Sequence, residues 1–136
     1  MEEELCLVDS GTTNSIPREM KYFQTLKKMN GDILTIAGRD TVIVGTGCAI
    51  FTLPSSTYVT IEDALLYPDS SRTLTSYRDI RKNGFHIETH EDNKEEYLLF
   101  TKDDGYGKKV HEKIPSLPSG LYYTYIKPVE HVAYKV

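Results

Sequence analysis

The chain has 136 residues, 39% hydrophobic and 26% charged, which fits one globular domain and excludes a large two-lobed enzyme. Twenty acidic against 16 basic residues leave a net charge of -4, which argues against a dedicated nucleic-acid binder whose affinity rests on neutralising phosphates. No apolar run reaches the ~20 residues that span a bilayer, and the acidic start Met1-Glu2-Glu3-Glu4 lacks the basic flank of a signal or transit peptide. The expectation is a soluble, intracellular protein with no membrane partner, burying roughly two-thirds of its unfolded surface. Cys6 and Cys48, far apart and each in an apolar stretch, read as small buried thiols rather than a disulfide framework.

In chain order, Leu5 to Val8 is a short apolar run ending at Asp9-Ser10-Gly11, the signal of a strand entering a turn. Arg18 to Met29 has Met20, Phe23 and Leu26 at helical spacing, with Pro17 near its start and Gly31 beyond its end. Ile33 to Ile36 and Val42 to Val44 flank Gly38-Arg39-Asp40 and predict a hairpin. Gly45 and Gly47 mark a bulge or bend before a strand from Cys48 to Leu53. Tyr58 to Ile61 and Ala64 to Tyr67 read as two further strand pieces. A helix is predicted from a Ser70 or Ser71 cap through Leu74, Tyr77, Ile80 and Arg81, stopped by Gly84. Phe85 to Thr89 and Tyr97 to Thr101 read as strands around a charged loop from His90 to Glu96, and Asp103 to Gly107 as a hairpin turn. Beyond Val110, prolines at 115, 118 and 128 break the chain into short extended pieces around Leu121 to Ile126. The fold class is expected to be mostly β with one or two short helices, a small closed barrel or closed sandwich followed by an extended β-rich tail.

The sharpest chemical signal is Leu7-Val8-Asp9-Ser10-Gly11-Thr12-Thr13. A buried strand delivers a carboxylate into a tight turn, where Gly11 permits close backbone approach and Ser10 and Thr12 supply hydroxyls. Two such carboxylates can share one proton and activate a water, since like charges in contact cannot both ionise. The same triplet also fits an Asx-turn, in which Asp9 caps its own backbone. His86 and His90 are about 13 Å apart along a strand, too far to share a metal, and His111 and His131 lack partners at ligand spacing. Tyr122, Tyr123 and Tyr125 read as an ordinary alternating strand rather than a base-stacking platform.

The wider run of motifs resembles the protease region of Ty1/copia-type retrotransposon Pol polyproteins, plant ones in particular. The matching residues are Cys6 to Ile16, Val42 to Gly47, Ala64 to Pro68, Arg72 to Ser76 with Asp79-Ile80-Arg81, Asn83 to Thr89, and a tail from Gly120 to Ile126 that looks like a pre-integrase spacer. The resemblance implies a retropepsin-like barrel over residues 1–89, and over 90–136 a spacer leading to a zinc-binding module beyond Val136. It makes Asp9 the single catalytic aspartate, with Ser10, Gly11 and Thr12 as active-site support. Ser10 would interlock two subunits, and the Thr12 hydroxyl is expected on the Asp9 carboxylate. Ala37, Gly38 and Arg39 would form a flap over the substrate. One departure is Leu74-Thr75-Ser76, where retropepsins usually carry two apolar residues and a glycine.

Two functions follow. The first is a homodimeric aspartic endopeptidase that cuts its own Gag-Pol polyprotein without metal or other cofactor. It would act in the cytoplasm or in virus-like particles, and one Asp9 per chain makes two copies necessary. The second is a catalytically silent barrel that serves as a spacer or relic of such a polyprotein. The seven chain positions between Met1 and Asp9 offer little strand for joining two copies, which favours the second.

Overall fold

A computed structural model describes residues 3–28, 33–36 and 39–129. The strands are β1 (Glu4–Asp9), β2 (Lys27–Lys28), β3 (Ile33–Ile36), β4 (Arg39–Val42), β5 (Gly45–Thr52), β6 (Tyr58–Leu66) and β7 (Thr73–Ser76). One helix, α1 (Tyr77–Lys82), precedes β8 (His86–Asp92), β9 (Glu95–Asp103), β10 (Lys108–Pro115) and β11 (Tyr122–Ile126). The protein is thus mostly strand with almost no helix, as its composition of short β-type runs predicts.

Alternation in β1 explains its place. Cys6 and Val8 are buried, whereas Leu5, Leu7 and Asp9 are half-buried on the other side of the strand. β1 pairs antiparallel with β11, from Glu4↔Ile126 to Val8↔Tyr122, and parallel with β7, from Cys6↔Thr73 to Asp9↔Ser76. On its far side β7 meets Ile16 through bonds of 2.8 and 3.1 Å. The neighbouring carbonyls of Ser15 and Pro17 accept from Leu65 and Tyr67, at β6 and just beyond it. β6 forms a long hairpin with β5, and Thr52 at the end of β5 exchanges backbone bonds of 2.8 and 3.0 Å with Lys127, just past β11. Backbone hydrogen bonds therefore run in a ring through β11, β1, β7, residues 15–17, β6 and β5, and return to β11. Such a ring leaves few unpaired edges.

A second sheet, β10-β9-β8, packs on this ring. Leu98 and Phe100 from β9, Ile114 from β10 and Ile126 from β11 share one buried cluster with Cys6, Val8, Phe51 and Ile61. The boundary expected after residue 89 falls inside β8, and apolar side chains from both sides of it fill that one core. Among the described residues no helix is long and apolar enough to cross a membrane.

Several local expectations are corrected. Arg18 to Met29 does not form a helix over its described part, which holds one 3-10 turn at Met20–Tyr22. Tyr22 and Phe23 are consecutive and both buried, while Met20 is 52% exposed, so no helical stripe forms. Phe23 bridges Ala49, and the Gln24 N–H donates to the Cys48 carbonyl. That close approach is why Gly47 stands where it does: a Cβ there would lie 2.0 Å from the Thr25 carbonyl oxygen. The register of β5 shifts between Gly47 and Ala49, the bulge that the glycines predict.

The predicted helix from residue 70 begins only at Tyr77. Thr73 to Ser76 is drawn into β7 by partners on both edges, and Ser76 becomes the N-cap, its hydroxyl accepting from the Asp79 N–H. The charged segment from His90 to Glu96 is a hairpin rather than a loop, with Asn93 and Lys94 at φ +51° and +68° in its two-residue turn. Tyr58 to Leu66 is one strand, not two pieces. Arg39 and Asp40 belong to β4 rather than to a turn, facing Ile36 and Thr35. Cys48 is half-buried, unlike Cys6.

Candidate functional site

Asp9 closes β1, opposite Ser76 in the parallel register. The chain turns immediately, and the Gly11 N–H donates to Asp9 Oδ1 at 2.8 Å. This is the Asx-turn that the triplet allows. Among the described residues Oδ2 receives no hydrogen bond. A Cβ on Gly11 would sit 3.2 Å from Oδ1, so glycine keeps space for the carboxylate. Ser10 and Gly11 are exposed and Thr12 is half-buried. The Thr12 hydroxyl donates to the Asn14 carbonyl at 2.8 Å, not to the Asp9 carboxylate as expected. Its one proton is used within the turn.

Of the expected flap residues, Ala37 and Gly38 lie outside the described residues. Arg39 opens β4, which pairs antiparallel with β3. His131 also lies outside the described residues. His86 and His90 share β8, and the His111 ring packs edge-on to Phe85. Among the described residues no group of three His, Cys, Asp or Glu side chains could hold a metal ion.

Beneath the Asp9 turn lies a polar cluster that sequence reasoning did not single out. Asp79, 1% exposed, accepts at Oδ2 from the Ser15 N–H (3.2 Å), the Ser15 hydroxyl (2.6 Å) and the Ser76 hydroxyl (2.9 Å). Ser15 Oγ in turn accepts the Ser76 N–H at 3.0 Å. The Arg78 guanidinium reaches Asp79 Oδ1 at 3.4 Å and both oxygens of Asp63 at 2.8 Å. Asn14 Nδ2 donates to the Asp63 carbonyl. A sequence signal existed for part of this: Ser76-x-x-Asp79 has the spacing of a capping box. Nothing local marks Ser15, whose partners are about sixty residues away.

Aromatic groups flank the same end of β1. Burial raises the Tyr77 phenol, the Arg81 guanidinium opposes that, and the Asp9 and Glu96 carboxylates add to it. The Tyr122 phenol is pushed up to about 12, first by burial and then by its hydrogen bond to Glu96. Both phenols are therefore protonated donors near neutral pH. On the inner side of β1, Cys6 Sγ lies 3.0 Å from the Thr75 hydroxyl. Burial pushes this thiol up to about 12, which leaves it a packing group rather than a nucleophile.

The family model described as "Pol polyprotein, beta-barrel domain" matches residues 6–85, more than half of the chain, including the Asp9 turn, β7 and α1. No curated protein and no solved structure matches the chain.

Proposed function

We propose that this chain, which belongs to the family of Pol polyprotein β-barrel domains, is a retrotransposon-type aspartic endopeptidase that processes a Gag-Pol polyprotein. The observation that supports this most is the Asp9 carboxylate at the mouth of the turn, with Oδ1 held by the Gly11 amide and Oδ2 unbonded among the described residues. One chain supplies one such group, so a homodimer brings two together about a symmetry axis. With one proton shared, the ionised carboxylate takes a proton from water. The protonated one polarises the scissile carbonyl. Exposed Ser10 is available to the partner copy. The substrate binds extended, its backbone hydrogen-bonded and its alternate side chains in pockets. In this role the domain works in the cytoplasm, within virus-like particles of a copia-type element.

The test is cleavage of a Gag-Pol peptide library between about pH 4 and 7, with Asp9→Asn as control and sedimentation run alongside. Cleavage by a dimer, abolished by Asp9→Asn, is the expected result. Cleavage that survives the substitution would refute the paired-carboxylate mechanism. A strict monomer without cleavage would instead make the chain a silent structural segment of the polyprotein.

A further inference from the structure

Residues 10–16 leave β1 at Asp9, pass over the end of β7 and return along its far side at Ile16. The two backbone anchors, Asp9↔Ser76 and Ile16↔Leu74, lie only two positions apart on β7. The turn that presents Asp9 is thus a loop whose ends straddle one short strand. What fixes its returning limb in the interior is Ser15. It is fully buried, with its N–H and hydroxyl on Asp79 and its oxygen on the Ser76 N–H.

From this closed circuit we infer that Asp79 is a positioning residue for the Asp9 turn, acting through Ser15 and Ser76. The bland alternative is that Asp79 only completes the N-cap of α1. That cap needs Ser76 alone, whose hydroxyl meets the Asp79 N–H at 3.1 Å. Neither contact from Ser15 to Asp79 touches the helix backbone. They join the loop to a side chain anchored independently by Arg78 and by α1, whose Ile80 is buried. Ser76 is at once the β7 residue facing Asp9 and a donor to Asp79, so a shift of Asp79 moves both walls of the turn. Support of this kind from behind holds a reactive group in the productive geometry. The contacts among Ser15, Ser76 and Asp79 are between buried polar groups, so losing one leaves its partner unpaired in a dry interior.

This inference rests on the endopeptidase reading for its consequence, but its geometry can be tested without cleavage. In Ser15→Ala the cap of α1 survives and the tie from loop to Asp79 is weakened; Asp79→Asn keeps an acceptor but unbalances the donors. Asn83→Ala, which removes side-chain bonds to Thr60 and the Asp79 carbonyl at the other end of α1, is the control. In the full chain, Ser15→Ala and Asp79→Asn are expected to speed exchange of the Ile16 amide about tenfold. They should also move the Gly11 amide resonance, which reports its bond to Asp9. The Phe100 amide should stay unchanged, and Asn83→Ala should do none of this at Ile16 or Gly11. In the cleavage assay kcat falls about tenfold or more at similar KM. A Gly11 resonance that stays in place, or a Phe100 amide that accelerates as much as Ile16, would overturn the inference. If wild-type protein fails to cleave, the endopeptidase reading fails while the exchange data still decide the positioning role.

Discussion

Phe100→Ala probes whether the whole chain folds as one unit. Phe100 lies on β9, in a sheet with no ladder to β1, yet it is 0% exposed and belongs to the cluster that contains Cys6 and Val8. Its ring packs beside Phe85, with centroids 6.2 Å apart. Truncating a fully buried phenylalanine costs about 4 kcal/mol, the transfer loss plus the cavity left behind. At 1.4 kcal/mol per tenfold, the open population should rise about a thousandfold. Cys6 reports that opening from β1, in a different sheet. It is 0% exposed and its thiol is pushed up to about 12, so a thiol reagent modifies it only when β1 is released. Half-buried Cys48 is first replaced by serine to leave one reporter. The expected result is Cys6 labelling about a thousandfold faster in Phe100→Ala, if opening and closing are fast relative to labelling. Unchanged Cys6 labelling with loss of the β8–β10 sheet would refute the single core. It would restore an independent segment after residue 89.

Gly47→Ala would push a methyl to 2.0 Å from a backbone oxygen that no rotamer change can move. A loss of about 3 kcal/mol is expected, read as a lower urea midpoint, and an unchanged midpoint would contradict the close approach of residues 23–25 to β5. Gly11→Ala brings its methyl to 3.2 Å from Asp9 Oδ1, so cleavage should drop while the melting temperature holds within a few degrees. The Cys6 thiol is raised from 9.0 to about 12, so the folded state keeps a proton that the unfolded state releases. Its contribution to stability is complete below about pH 9 and is lost as pH rises toward about 12, at up to ~1.4 kcal/mol per pH unit. Denaturant titrations from about pH 8 to 11 should show a shallower alkaline decline in Cys6→Ser than in wild type. Equal slopes would show that Cys6 does not titrate as a buried thiol.

Features encoded over a few adjacent residues were legible in the sequence. β1 and the turn after it could be read because Leu5 to Val8 is apolar and Asp9-Ser10-Gly11 carries its own turn chemistry. The mostly β class and the Asp103 to Gly107 turn were legible on the same ground: Asp103 and Asp104 accept from Gly105 and Tyr106, and both glycines have positive φ. Local signals misled where a distant partner outweighed them. Leu74 stands at helical spacing with Tyr77 and Ile80, but β1 and Ile16 hold it as strand. Met20, Phe23 and Leu26 stand at helical spacing in the sequence, but the backbone of β5 captures that segment. The hairpin at Asn93-Lys94 was hidden by its charges, which the exposed strand ends beside the turn carry without penalty.

By itself the sequence determined the carboxylate, the glycine beside it and the strand that delivers them, because hydrophobic alternation and turn preference are local properties. Tertiary structure alone decided that β11 lies along β1, that the residues beyond 89 fill the same core, and that Ser15 meets Asp79 beneath the turn. The β1–β11 pairing and the Ser15–Asp79 bond join residues 64 or more positions apart. No short-range pattern specifies such a pairing, which is settled only when the buried groups of the whole chain must find partners together.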